Sequence, residues 1–185
     1  MAFNIEEFKA QGLRLGGARP TLFQCDIFSP PGVGLAGFEQ FRFLCKATTL
    51  PESDVGAIPV PYMGRQINVS GDRVFKNWQV LVMNDEDFTQ RSAFERWSNA
   101  LNSHVSNLRL TEEGGYKAEV LVSQLGKSGN LLRQYNMVGV FPTIVGSINL
   151  DWAEVNRIEE FTVQLTMDYW VPLAGPTRNP FTGRE

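Results

Sequence analysis

The chain has 185 residues, of which 43% are hydrophobic and 20% are charged, and its formal net charge is −3. This composition excludes a disordered chain and favours one soluble domain with its own core. The negative charge argues against a nucleic-acid binder that works through a basic patch, and no apolar run approaches the roughly 18–20 residues of a membrane span. The acidic, interrupted N-terminus (MAFNIEEFKAQG) predicts no secretory signal peptide.

The first third of the chain predicts an arm and two strands. Residues 2–15 have the apolar spacing of a short amphipathic helix and end at two glycines, so we predict an N-terminal arm over 1–18. Residues 22–28 predict the first strand, and alternating apolar residues over 38–47 predict the second. The glycines of the intervening loop, 29–37, lack a complete phosphate-binding pattern and predict a turn.

The stretch 43–87 predicts structural elements and no active-site chemistry. It predicts a proline-spaced extended segment at 58–61, a turn at Gly64, a short strand at 67–69, a turn at Gly71-Asp72 and a long strand at 73–83. Residues 85–101 then predict a helix that Asn84 or Asp85 caps, with an apolar stripe of Phe94, Trp97 and Leu101.

The C-terminal half predicts further strands. They cover 117–125, 131–141, 147–152 and 158–171, with a hairpin turn at 126–129 and a break at 142–146. Roughly eight strands with one clear helix favour a mainly β fold, a β-sandwich or an open, barrel-like sheet. We predict a domain over 19–171 and a C-terminal tail over 172–185.

Catalytic and metal-binding constellations are not predicted. The single histidine, His104, lies in a polar connector without a nucleophile motif nearby, and the acids at 85–87 precede a helix as a cap does. No cofactor is expected, and an enzyme is disfavoured. Cys25 and Cys45 lie in alternating apolar stretches, which favours two reduced, buried thiols; a disulfide between neighbouring strands is the alternative.

Short motifs from about Arg19 to Trp170 follow one another in the order and spacing of a known family. In the first half they are CKAT (45–48), LP (50–51), IPV (58–60), MGR (63–65), INV (67–69), GDR (71–73), Trp78 and VMNDE (82–86). In the second half they are GVFPT (139–143), VG (145–146), LDW (150–152) and DYW (168–170). The series resembles the tail tube proteins of T-even-like contractile-tailed bacteriophages. The loop 29–37, the connector 102–115 and the tail after Trp170 depart from the family.

The resemblance implies a β-sandwich-like subunit with a flanking helix. Six subunits would form a ring whose inner strands join into one barrel, and rings would stack into a tube inside a contractile sheath. The implied partners are other copies of the chain, the sheath protein, baseplate or tube-initiator proteins, a tail terminator and the tape-measure protein. Genomic DNA would pass without specific binding, and the implied location is the virion tail, assembled in the host cytoplasm. The Hcp protein of type VI secretion is similar in fold and in ring formation.

Two surfaces are candidates for function in such a tube. The segment 50–62 combines prolines, which disfavour regular strand pairing inside a domain, with apolar residues, and it predicts a subunit or ring contact through Val55, Ile58, Val60 and Tyr62. The polar face of the last strand is a candidate lumen face because an acidic-to-neutral wall does not retain DNA. Its members are Glu160, Thr162, Gln164, Thr166 and Asp168. An ordinary solvated outer face is the alternative.

Other functions stay open at this point. A baseplate or tube-initiator protein could share the fold and cap the tube, and an Hcp-like tube could belong to a secretion or bacteriocin device. A monomeric binding module that uses one sandwich face is a third alternative, although the sequence shows no aromatic cluster separate from the apolar strand faces.

Overall fold

The computed structural model describes residues 5–12, 17–33, 37–112 and 114–174. The helical segments are α1 (Ile5–Glu7), a π-helical turn (Phe8–Gly12), a 3-10 turn (Phe38–Gln40), α2 (Phe41–Leu44) and α3 (Thr89–Leu101). The strands are β1 (Phe23–Ile27), β2 (Cys45–Thr48), β3 (Ser53–Tyr62), β4 (Arg65–Phe75), β5 (Trp78–Met83), β6 (Ala118–Leu125), β7 (Leu131–Val145), β8 (Glu160–Thr166) and β9 (Tyr169–Ala174). The predicted mainly β fold is confirmed.

Two antiparallel sheets share the long strand β7. The strand order is β1-β6-β7-β8-β5-β2, with β9 also paired to β7. The first part of β7 pairs with β6 and β9 and forms sheet I with them and β1, whereas its last residues, from Phe141, pair with β8 and form sheet II with β8, β5 and β2. A strand that changes sheets in this way forms a corner of a sandwich.

The corner in β7 is built around Gly139. This glycine has φ +71°, and a Cβ atom there would lie 2.1 Å from Asp168 Oδ2. The Asp168 backbone N–H donates to the Val138 carbonyl at 3.0 Å, which holds the β8–β9 connection against the same corner. The predicted single strand over 158–171 is therefore wrong. It is two strands, β8 and β9, because the chain crosses from sheet II to sheet I at Met167 and Asp168.

The core lies between the two sheets, and one end of it is covered by α3. Alternate residues of β5, β6 and β8 point inward. The buried residues of these strands are Trp78, Val80, Val82, Ala118, Val120, Val122, Phe161, Val163 and Leu165. Phe94 and Trp97 of α3 are fully buried against Phe38 and Phe41, with ring centroids 5.0–5.8 Å apart.

The predicted strand over 38–47 is wrong for its first seven residues, which form helical turns instead. Phe38, Phe41 and Cys45 are buried, and their spacing of three and four residues matches a helix. Strand alternation would place Phe43 on one face with Phe41 and Cys45, yet Phe43 is 75% exposed while the other two are buried. The same apolar residues satisfy both periods in part, and packing against α3 selects the helical one.

The predicted helix over 85–101 begins later, at Thr89. Asp85 still supports its start, because its Oδ1 atom accepts the Thr89 N–H at 3.0 Å. Phe88 adopts a left-handed conformation with φ +53° and separates that turn from the helix. Phe94 and Trp97 of the predicted stripe are fully buried, and Leu101 is partly buried.

Two predictions for the second half are also wrong. β7 continues through Pro142 to Val145, where a break was predicted, and the predicted strand at 147–152 belongs to a loop that runs from Gly146 to Glu159. The hairpin turn at 126–129 is confirmed by a Gly126 N–H bond to the Asn130 carbonyl.

The termini of the predicted domain are only partly described. α1 and the π-helical turn lie within the predicted arm, and β9 extends to Ala174, three residues beyond the predicted end of the domain. The remainder of the predicted tail, 175–185, lies outside the described residues, so the division into arm, domain and tail stays a prediction.

Both cysteines are buried free thiols. Burial raises the pKa of Cys25 well above its ordinary value, and the neighbouring Cys45 thiol raises it further. We expect a thiol-specific reagent to react with neither cysteine in the native subunit, because little thiolate forms and access is blocked. Two thiols per chain should react in guanidinium without reductant. Rapid labelling of the native chain, or no labelling after unfolding, would contradict this.

Candidate assembly surfaces

The hairpin of β3 and β4 forms a two-stranded ribbon, residues 53–75, that pairs with no other strand of the described chain. The predicted turn at Gly64 is confirmed as the tip of this ribbon, with φ +76°. The predicted turn at Gly71-Asp72 is wrong, because both residues lie inside β4. There the register shifts opposite Gly56, and the backbones approach so closely that a Cβ atom on Gly71 would lie 3.1 Å from the Gly56 carbonyl oxygen.

One face of the ribbon is apolar over most of its length. Ile58 pairs with Val69 and Val60 pairs with Ile67, so these four side chains share one face, and Tyr62 extends it to the tip. All five are exposed. The opposite face carries small and polar residues and prolines. Its members are Ala57, Pro59, Pro61, Gln66, Asn68 and Ser70.

This arrangement brings together most of the predicted contact residues. Ile58, Val60 and Tyr62 lie on the apolar face, whereas Val55 is exposed but out of phase with them by strand alternation. The inference that prolines prevent strand pairing in this segment is wrong. Pro59 and Pro61 pair with Asn68 and Gln66, which is tolerated because each strand of a two-stranded ribbon has a free edge.

Sequence reasoning missed the β4 half of this face. Ile67 and Val69 were assigned to a short separate strand. The available signal was their alternation at the same distance from the Met63-Gly64 turn as Val60 and Ile58.

Trp170 of β9 anchors the base of the ribbon. Its Nε1–H donates to the Glu52 carbonyl at 3.2 Å, and its ring packs edge-on against Phe75 and Tyr135 at centroid distances of 6.3 and 5.5 Å. The ribbon is thereby fixed to sheet I at its base while its tip projects away from the core.

The outer face of sheet II combines polar residues of β8 with the apolar Leu81 and Met83 of β5, which pair with Thr162 and Glu160. Along β8 the residues Phe161, Val163 and Leu165 are buried, and the four alternate predicted lumen residues, Glu160, Thr162, Gln164 and Thr166, are partly exposed on the other face. On the adjacent β5, Gln79 pairs with Gln164 and adds another neutral polar side chain to this face.

The acids of the predicted lumen face both have lysine partners. Glu160 forms an ion pair with Lys46 of β2, and Asp168 accepts Lys117 Nζ at 2.6 and 2.9 Å. Asp168 lies beyond the end of β8 at the sheet crossing, apart from the other four residues. The outer face of sheet II is therefore close to neutral, and the two acids do not make it strongly negative.

The loop from Gly146 to Glu159 exposes a second set of large apolar residues. They are Leu150, Trp152, Val155 and Ile158, and Trp152 is fully exposed. A groove of about 540 Å³ runs between this loop and the start of β8, lined by Leu150, Trp152 and Ile158 together with several charged residues. Asn84 holds the end of the loop, because its backbone N–H and its side-chain amide donate to Glu159 at 2.8 and 3.1 Å.

No group of three or more potential metal ligands occurs among the residues that the structure describes. His104, the only histidine of the sequence, is exposed in the connector after α3. No helix within the described ranges is long and apolar enough to cross a membrane.

The sequence is similar to a known family of proteins over most of its length. The model of a family described as phage tail tube protein matches residues 18–172. The tail tube protein gp19 of Enterobacteria phage T4 is 38% identical over 154 residues, which cover 83% of this chain and 90% of gp19.

Two solved structures share the fold at low sequence identity. A chain of the PVC sheath–tube complex, an extracellular contractile injection system, superposes with a TM-score of 0.63 at 16% identity and covers 94% of this chain and 99% of its own. The tube-terminating cap of the anti-feeding prophage also gives 0.63, at 17% identity, and covers 86% of this chain and 92% of its own. The family match spans both the ribbon and sheet II, and together with the identity to gp19 it shows that this chain belongs to the phage tail tube protein family.

Proposed function

We propose that this chain is the structural subunit of a contractile tail tube and that it assembles with copies of itself into stacked rings, six subunits to a ring. The lumen conducts genomic DNA and the tape-measure protein, and the tube carries no enzymatic activity. The sheath protein, a baseplate or tube initiator and a tail terminator are its partners in the virion tail. The observation that carries the proposal is the exposed apolar face of the β3–β4 ribbon.

A two-stranded ribbon is marginally stable in water when nothing packs on it. This one exposes a continuous apolar face of five residues, which is the type of surface that marks an assembly contact. The partner for this face is a second copy of the chain, because the subunits of a self-assembling tube lie next to one another at high local concentration. The predicted contact through Ile58, Val60 and Tyr62 is therefore kept, and Ile67 and Val69 are added to it.

Sheet II supports lateral assembly into a barrel. Its two borders are β2 and the last residues of β7, and each has one strand partner in the described chain. Pairing β2 of one subunit with the end of β7 in the next would satisfy both borders through main-chain hydrogen bonds and remove exposed strand edges. The near-neutral outer face of sheet II would then line the bore.

Negative-stain microscopy and sedimentation velocity of the purified chain test this function. We expect tubes of uniform diameter to form spontaneously or after addition of a tube initiator. Discrete rings that never elongate would instead indicate a cap or baseplate protein. A monomer that persists at all concentrations with initiator present would contradict self-assembly.

A further inference from the structure

The four strands of sheet II alternate in direction from one border to the other. β2 pairs antiparallel with β5, β5 with β8, and β8 with the last residues of β7. β2 therefore runs opposite to the end of β7, and a ring repeats every subunit in one orientation, so the lateral pairing proposed above joins the two borders as antiparallel neighbours. The start of β2 in one subunit then lies beside the end of β7 in the next, next to the loop that follows Val145.

An aromatic side chain stands immediately before that end of β2. Phe43 belongs to α2, and only Leu44 separates it from the first residue of β2. Phe41 and Cys45, two positions away on either side, are buried in the core, whereas Phe43 is 75% exposed and contributes little to the fold. An aromatic side chain that the subunit leaves in water beside an assembly border is the usual kind of interface anchor.

The receiving surface is the groove of about 540 Å³ between the 146–159 loop and the start of β8, which we call the Trp152 groove. Its apolar wall consists of Leu150, Trp152 and Ile158, all three of them exposed in the subunit. A phenylalanine ring can pack edge-on or offset against the indole of Trp152 and remove apolar surface of the whole wall from water.

Both ends of the loop are held by the subunit itself, so the groove exists before assembly. Arg91 Nη1 donates to the Gly146 carbonyl at 2.9 Å, and the Gly146 N–H donates to the Thr162 carbonyl at 2.7 Å. At the other end, Asn84 donates twice to Glu159. A preformed groove loses less conformational entropy on binding than a loop that must fold around its partner.

The segment around Phe43 is basic and the groove is acidic. Residues 41–48 contain Arg42 and Lys46 and no acid, whereas the groove is lined by four acidic residues and Arg157. Arg42 and Lys46 already pair with Asp26 and Glu160 of their own subunit. We therefore expect the charges to orient the two surfaces and the apolar contact to supply most of the affinity.

We propose that Phe43 of one subunit inserts into the Trp152 groove of its neighbour in the same ring and locks the lateral pairing of sheet II. The inference rests on the proposed function, because pairing of β2 with the end of β7 is what brings the two surfaces together. Identical contacts of this kind close a ring in which every Phe43 and every groove is used. The contact also selects the register of the short border strands, since a shift of two residues, about 7 Å, would withdraw Phe43 from the groove.

A photoreactive ring at position 43 tests which surface Phe43 meets. p-Benzoylphenylalanine keeps an aromatic ring at this position, and tubes that contain it are irradiated, dissociated in detergent and analysed by gel electrophoresis and mass spectrometry. We expect cross-links from position 43 to residues 146–160 of another subunit and cross-linked oligomers no larger than one ring. Tubes in which position 43 cross-links to a different surface, or a ladder that continues beyond one ring, would overturn the inference.

Truncation of the two aromatic side chains measures the strength of the contact. Phe43→Ala and Trp152→Ala should each raise the protein concentration needed for tube growth by about tenfold or more, the usual loss for an aromatic interface anchor. The subunit should stay folded, because both side chains are exposed. The double variant should assemble hardly worse than either single variant, since each single change already removes the contact.

Phe28→Ala is the matched control, because it truncates another exposed phenylalanine, and it should assemble normally. Losses that simply add in the double variant, or an equal loss in the control, would overturn the inference while leaving tube formation by the wild-type chain intact. Failure of the wild-type chain to assemble at all would instead refute the proposed function.

Discussion

Two carboxylates on the apolar face of the ribbon, Ile58→Asp with Val60→Asp, are expected to abolish tube growth and leave the subunit folded. Both side chains are exposed in the subunit, so the substitutions lose cross-strand contacts with Val69 and Ile67 worth about 0.2–1 kcal/mol each. In the tube each carboxylate would be buried without a partner, which costs several kcal/mol. A loss of about 4 kcal/mol raises the assembly concentration roughly a thousandfold.

The control uses the other face of the same ribbon. Gln66→Asp with Asn68→Asp adds the same two charges at exposed positions that pair with Pro61 and Pro59. Sedimentation velocity measures assembly, and thermal unfolding checks that both variants remain folded. We expect tubes from the control and monomers from the first variant. Normal tubes from the first variant, or equal loss in both, would show that the apolar face is not a specific contact.

The sequence predicted the structure correctly where a single period of apolar residues dominated. β8 alternates without exception, and Phe161, Val163 and Leu165 are buried as that alternation predicts. It failed between Phe38 and Leu44, where the same phenylalanines fit a strand or a helix and the outcome depends on Phe94 and Trp97, more than 50 residues away in sequence. Local pattern carries no information about that packing.

The predictions that rested on prolines and on Asp168 failed for a related reason. Pro142 was taken as a break, yet β7 passes through it as it changes sheets, and Pro59 and Pro61 sit in a ribbon with free edges. Asp168 was grouped with β8 because the alternation continues past Thr166. Only the Gly139 corner, which requires contacts between distant strands, shows that the chain turns there into β9.

Paired charges could not be found from the sequence either. Lys46 and Glu160 are separated by 114 positions and lie on β2 and β8, with β5 between these strands in the sheet, so no local spacing links them. Their pairing changes the lumen hypothesis. Weak retention of DNA would follow from a nearly neutral wall that offers few cationic partners to phosphates, and a strongly acidic wall is not required.

Adding lysines to the outer face of sheet II is therefore expected to convert a non-retaining bore into a DNA-binding one. Thr162→Lys with Gln164→Lys places two cations per subunit on β8, where both side chains are partly exposed. Each ring would multiply the effect, and every phosphate neutralised releases counterions, so retention should fall steeply as salt rises. Tubes assembled with short DNA, then washed at increasing salt, would measure the retained fraction.

Glu119→Lys gives the matched control for this experiment. It changes the charge by the same two units per subunit on an exposed position of β6 in sheet I, the other side of the sandwich. DNA held by Glu119→Lys tubes should stay sensitive to a nuclease too large for the bore, whereas DNA held by the β8 variant should be protected until salt releases it. If the β8 variant holds only nuclease-sensitive DNA, the outer face of sheet II lies on the outside of the tube and the lumen must be lined by other strands.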